Sequence, residues 1–197
     1  MTDYLKKGTH DSLISSIQFI SAQTHIPEAY IRHVGAKEFC TEDEMLFIRN
    51  IKKHIREVNG GMLIHGKQEF CDGKKVPVTK KMLAIGATLV RNFIDARIYP
   101  VATLMSLIED RYAEVPDCTV LIIPDLCTEG FQIPNKQIHK LYGLLLERFV
   151  ANKMIIGYVD NLDAVADNYG NTFAEHIKEH YTLFAGNCTK VLDNVSQ

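Results

Sequence analysis

Apolar positions along this chain change their spacing near residue 60. Upstream, Ile48, Ile51, Ile55 and Val58 recur on one face at helical spacing, with Lys52, Lys53 and Arg56 opposite. Thr41 can cap that helix, Glu44 three residues on can complete a capping box, and the acids favour the positive end of the dipole. Asn59-Gly60-Gly61 ends it. A short helix is predicted over 13–20. A break follows at His25-Ile26-Pro27-Glu28, because the residue before proline avoids the helical region.

From Met62 onward, short apolar runs alternate with amphipathic stretches. Strands are predicted over 62–65, 97–101, 119–123, 154–159 and 181–185, and helices over 79–96, 102–112, 135–151 and 171–180. In the strongest helix, 79–96, Met82, Ile85, Leu89, Phe93 and Ile94 share the inward side. In 135–151, Ile138, Leu141, Tyr142, Leu145 and Phe149 do. Thr119-Val120-Leu121-Ile122-Ile123 is continuous and largely β-branched, which suits a strand buried on both faces of a parallel sheet. The expectation is a three-layer α/β domain over 59–197 with a five-stranded, mainly parallel sheet, preceded by a short helical N-terminal or linker segment over 1–58.

Composition sharpens this only slightly. With 197 residues, 46% hydrophobic and 23% charged, the chain can bury a core without disulfides, and disordered and fibrous classes are excluded. No apolar run approaches the ~20 residues of a membrane span, and residues 1–10 do not read as a secretory signal. A cytoplasmic protein with no membrane partner is expected. Cys40, Cys71, Cys118, Cys127 and Cys188 form no CxxC pair and read as reduced thiols.

Charge is spread unevenly. Residues 67–97 hold seven basic and three acidic side chains, whereas residues 98–197 hold seven basic and thirteen acidic. Either anions meet the chain at one place, or the lysines are a solvated loop. In open α/β sheets, ligands bind beyond the carboxyl ends of strands, and two segments there carry candidate chemistry. The loop after the first strand runs from Gly66 through Gly73-Lys74-Lys75 to Thr79-Lys80-Lys81. A glycine-containing, lysine-rich loop between a strand and a helix is where phosphates are cradled by backbone N–H groups and neutralised by lysine. The other segment is Pro124-Asp125-Leu126, where an acid ends a buried strand and can address a metal or an attacking water.

These segments, taken in order, resemble the AAA+ domain of the bacterial helicase-loader and insertion-sequence ATP-binding-protein family, over about 60–190. Met62-Leu63-Ile64-His65-Gly66 resembles the strand into Walker A, and Met82-Leu83-Ala84-Ile85 the helix behind it. Val120 to Leu126 resembles Walker B. Leu141-Tyr142 to Glu147-Arg148-Phe149 resembles the family's LYxLLNxRY helix. Ile155-Ile156 to Asp160-Asn161-Leu162 resembles its sensor-1 strand. Ile26-Pro27-Glu28 to Val58 is similar to its linker and leading helix.

The resemblance implies a P-loop NTPase fold. It also implies a nucleotide or anion site at Gly66, Gly73, Lys74, Lys75, Thr79, Lys80 and Lys81, with Asp125 and Asn161 in catalytic positions. The departures are specific. Gly66 to Gly73 is two residues too long for G-x-x-x-x-G-K-[ST]. The alternative register at Thr79-Lys80-Lys81 lengthens the loop by about eight residues, and neither register has a hydroxyl directly after the lysine. Pro124 stands where Walker B has its first acid, and no arginine lies near Ile177-Lys178-Glu179-His180. The expectation is a degenerate relative with little or no ATP hydrolysis that binds ATP or ADP without a firm Mg²⁺ site. Its expected partner is a replicative helicase, a loader or a transposase, with single-stranded DNA as a further ligand. As a monomer or small oligomer in isolation, it would serve DNA replication or a mobile element. The competing expectation is an active ATPase with an unusual loop. A third reading, a small-molecule α/β enzyme, stays open.

Two milder readings complete the picture. His176 and His180, at i and i+4, read as a surface pair rather than a zinc site. Tyr112 and Phe131 could stack on bases, with packing the simpler role.

Overall fold

The computed structural model describes residues 16–57, 60–66, 70–71, 74–75, 77–109, 117–128 and 133–185. Five parallel strands form one sheet: β1 (Gly61–His65), β4 (Ala96–Ile98), β5 (Val120–Cys127), β6 (Met154–Val159) and β7 (Tyr181–Ala185), in the order β4-β5-β6-β1-β7. A separate antiparallel pair, β2 (Phe70–Cys71) and β3 (Lys74–Lys75), lies in the connection after β1.

Alternation along the strands sorts the core into two layers. Met62, Ile64, Val120, Ile122, Met154 and Ile156 face one side. There they meet α1 (Ile17–Thr24), α2 (Glu28–His33), the 3₁₀ turn Ala36–Glu38, α3 (Glu42–Arg49), α4 (Ile51–Arg56) and α5 (Val78–Arg91). Leu63, Leu121, Ile123, Ile155 and Val159 face the other side. That side is covered by α6 (Val101–Glu109), α7 (Asn135–Val150), α8 (Asp163–Tyr169) and α9 (Asn171–His180). The helices of 16–57 therefore share one core with α5, through Ile17, Ile26, Ile31, Phe47, Ile48 and Ile51.

Adjacent strands β1 and β6 send their chains to opposite faces, β1 to α5 and β6 to α8 and α9. The order of the sheet thus switches between them, and a crevice opens outside their carboxyl ends. Two glycines allow this central pairing. Gly61 has φ 137°, and a Cβ there would sit 1.8 Å from the Ile155 carbonyl oxygen. Gly66, at φ 104°, turns the chain out of β1 in a conformation that side chains disfavour.

Three predicted elements, 154–159, 171–180 and 181–185, coincide with β6, α9 and β7. Elsewhere the boundaries move for identifiable reasons. The helix predicted over 79–96 ends at Arg91. There the Asn92 side chain donates to the Thr88 carbonyl (2.7 Å) and Phe93 turns left-handed at φ 57°. Phe93 is consequently 47% exposed rather than inward, while Ile94 is buried. The strand predicted over 97–101 shortens to Ala96–Ile98 because Pro100 and Val101 start α6 instead. The single helix expected after Thr41 is two, α3 and α4, meeting at Asn50.

Candidate functional site at the switch point

The site begins where β1 ends. The Gly66 N–H donates to the Val159 carbonyl (3.1 Å), and the Tyr158 hydroxyl donates to the Gly66 carbonyl (2.7 Å). The first residue of the basic connection is thereby fixed to β6. Further on, Phe70 and Cys71 pair with Lys75 and Lys74 in an antiparallel ladder. A phosphate cradle needs successive N–H groups turned toward one anion, whereas a ladder turns them toward a neighbouring strand. Gly73 lies outside the described residues.

Helix α5 starts at Val78 behind Pro77, and no side chain caps it. Thr79 and Lys80 are exposed in its first turn, where free N–H groups and the helix dipole favour an anion. Lys81 is different. Its side chain is buried and its Nζ lies 2.6 Å from Glu44 Oε1, with Glu44 fully buried. The other Glu44 oxygen accepts from the Thr41 N–H (2.7 Å), and Thr41 Oγ1 accepts from the Glu44 N–H, so the expected capping box is formed. The Cys40 thiol also bonds Glu44 and is pushed up to about 12, chiefly by burial and then by the neighbouring carboxylate. Lys81 therefore joins α5 to the N-terminal helices and is held away from solvent.

On β5, register with β6 shifts between Ile123 and Cys127, across Pro124 and Asp125. Proline lacks the N–H that would continue a ladder, so a bulge belongs here. The bulge lets Asp125 reach β4's successor helix, and its Oδ1 accepts from the Val101 N–H (2.9 Å) at the start of α6. Burial raises its pKa, opposed by that bond and by one from its own backbone. Asn161, exposed beyond β6, accepts from the Asp163 N–H through Oδ1 (3.0 Å) and so opens α8. With Cys127, Thr128, Asp160, Asn168 and Tyr169 it lines a small cleft past β5 and β6. Burial raises the Cys127 thiol far above the range of a reactive thiolate, although Tyr169 hydrogen-bonds it.

The structure thus places Gly66, Asp125 and Asn161 at the carboxyl edge of three neighbouring strands, with Thr79 and Lys80 at the start of α5. Lys74 and Lys75 lie on β3, and Lys81 is withdrawn. Among the described residues, no group of three His, Cys, Asp or Glu side chains is placed to hold a metal. His176 is not the surface residue expected: it is buried, at 5% exposure, against His180 and an aromatic cluster. Tyr112 and Phe131 lie outside the described residues. Sequence reasoning missed Glu44 as the partner of Lys81, since nothing local marks a pair 37 positions apart. It also missed Tyr158, whose strand position signals burial but not where its hydroxyl ends.

No protein-family model and no curated protein matches the chain. Solved structures do. The crystal structure of the DnaC helicase loader superposes with a TM-score of 0.59 at 16% identity, over 79% of this chain and 97% of that one. DnaI superposes at 0.56 with 13% identity, over 81% and 94%. AMPPCP-bound DnaA from Aquifex aeolicus superposes at 0.52 with 11% identity, over 77% of this chain and 49% of that one. Identities this low establish architecture alone: the chain shares the α/β fold of the DnaC helicase loader and of DnaI.

Proposed function

We propose that this chain is a AAA+-like accessory protein of DNA replication or of a mobile element, acting by binding rather than by hydrolysing ATP. The observation that carries this reading is Asp125. It is the lone acid of its motif, with Pro124 before it, and its carboxylate is engaged by the Val101 N–H. Lys81 supports the reading further. It stands after Lys80, where a metal-binding hydroxyl would be needed, and its ammonium is already paired with Glu44.

An anion still has a place to bind. The start of α5 has no side-chain cap and leaves Thr79 and Lys80 exposed, and Lys74 and Lys75 belong to the same connection from β1. A nucleotide or a single-stranded DNA phosphate suits that chemistry. One structure sharing the fold is DnaA bound to AMPPCP and single-stranded DNA, and others are helicase loaders. The partner we propose is a replicative helicase, a loader or a transposase.

Nucleotide affinity with and without Mg²⁺, read beside hydrolysis, tests this. Binding that ignores Mg²⁺, without turnover above a Lys80→Ala control, is expected. Robust turnover abolished by Asp125→Ala would instead establish an active ATPase with an unusual loop. Light scattering is expected to show a monomer or small oligomer with or without ATP, because no arginine near Lys178 is available to complete a neighbour's site.

A further inference from the structure

Away from the switch point, α9 meets α7 and β7 around a histidine. His176 is 5% exposed, and its ring packs edge-on against Tyr142 (5.6 Å between centroids), Phe149 (5.7 Å) and Tyr181 (5.8 Å). His180, one turn on, lies 4.8 Å away and stacks on Phe149 at 4.2 Å. Nε2 of His176 is buried with no hydrogen-bond partner among the described residues, and so is the Tyr181 hydroxyl. A neutral imidazole can leave one ring nitrogen bare in an apolar box at modest cost. An imidazolium cannot, because both nitrogens then carry protons and a full charge needs an acceptor.

We propose that His176 is a pH-operated latch: neutral, it holds α9 and the edge strand β7 on the sheet, and protonated, it releases them. The groups around it offer a new positive charge little. From α9 come His180 and Glu179, and the Glu179 carboxylate is largely exposed and lies 3.9 Å from His180 Nε2. From α7 come the Tyr142 ring and Arg148, a cation whose guanidinium donates to the Cys118 and Met154 carbonyls beside Tyr181. From β7 comes Tyr181, whose hydroxyl burial holds neutral. Burial and His180 both depress the His176 pKa, with Glu179 opposing.

The sign follows. A folded pKa below the ordinary value of about 6.5 gives stability that is complete above that pH and lost as pH falls toward the folded value. Strand β7 is suited to release because, among the described strands, it is paired only with β1. The release also reaches the start of β1, since the Gly60 N–H donates to the His180 carbonyl (2.8 Å). Nothing in this latch depends on whether nucleotide binds.

Amide hydrogen exchange on the full chain at mildly acidic and neutral pH, corrected for intrinsic rates, tests it. Acidification should speed exchange in Asn171–His180 and Tyr181–Ala185 by at least about threefold relative to Val78–Arg91. His176→Phe, which keeps an aromatic ring and removes the titration, should abolish that difference. An equal loss of protection in Val78–Arg91, or a difference that survives His176→Phe, would overturn the latch. Should the variant not fold, the imidazole of the unaltered protein is followed by NMR. His176 must remain neutral at pH about 6.5, with α9 and β7 resonances changing in step as it titrates; titration at or above that pH would equally overturn it.

Discussion

The two faces of the sheet are fastened in different ways. On the face that carries α1 to α5, the buried polar groups and the half-buried Arg91 are matched. Glu44 holds Lys81, Thr24 returns its hydroxyl to the Ile20 carbonyl, and Arg91 donates to the carbonyls of Tyr30, Ile31 and Val34. On the face that carries α6 to α9, Arg148 is bonded to the Cys118 and Met154 carbonyls, but His176 and Tyr181 keep buried polar atoms without partners among the described residues. Helices α1 to α4 have six or eight residues each, below the ~12–15 at which an isolated helix begins to hold. Their packing needs directional bonds to fix its register. Helix α7, with sixteen residues, buries Ile138, Leu141, Leu144 and Leu145 and relies mainly on apolar area, with Arg148 as its one buried polar anchor among the described residues.

The largest effect should come from breaking the ion pair. Lys81→Ala leaves a fully buried carboxylate without its cation and should cost about 3–5 kcal/mol in urea unfolding. A loss below about 1 kcal/mol would remove the contrast between the faces. The double change Glu44→Gln with Lys81→Met should cost much less, yet loosen α1 to α3 in hydrogen exchange. Next in size is Arg91→Met, which strips donors from three carbonyls that end α2 and should cost about 1–3 kcal/mol. On the other face the sign should reverse. Tyr181→Phe removes an orphaned hydroxyl and should be neutral or stabilising by up to about 1 kcal/mol in the same assay.

The smallest effect is a pH dependence. Burial raises the Asp125 pKa above its unfolded value of 3.8, so the native state binds the extra proton between the two values. Stability from this group is complete below about 3.8 and is lost as pH rises through the folded value. Asp125→Asn keeps an acceptor for the Val101 N–H and should lack that decline in acid unfolding curves; an identical slope would show that Asp125 does not titrate abnormally.

The sequence revealed most where one residue's surroundings depend on its own strand or helix. Met154–Val159 is apolar throughout and became a central strand buried along its length. The Thr41–Glu44 capping box is a local pattern and formed. Phe93 was misjudged because Met82, Ile85, Leu89 and Phe93 continue a helical period, while the turn that ends the helix depends on Asn92 and on the start of β4. The position of Asp125 was legible, but its bond to Val101 spans 24 residues and depends on a bulge. The lysine-rich loop reads as one cluster in the sequence, yet the fold divides it, exposing Lys80 and burying Lys81 one residue later. A helix face separates such neighbours, and charge counting cannot.

The shared core between 16–57 and α5 bears on where this molecule can be cut. The change in apolar spacing suggests a boundary near residue 58, and a shortened protein starting there would look like a tidy domain on paper. It would bare Met62, Ile64, Met82 and Ile85, now covered in part by Ile26, Ile31, Phe47 and Ile51. It would also orphan Lys81. The leading helices behave as the missing wall of the building rather than as its porch, so a fragment without them is expected to come out of expression insoluble.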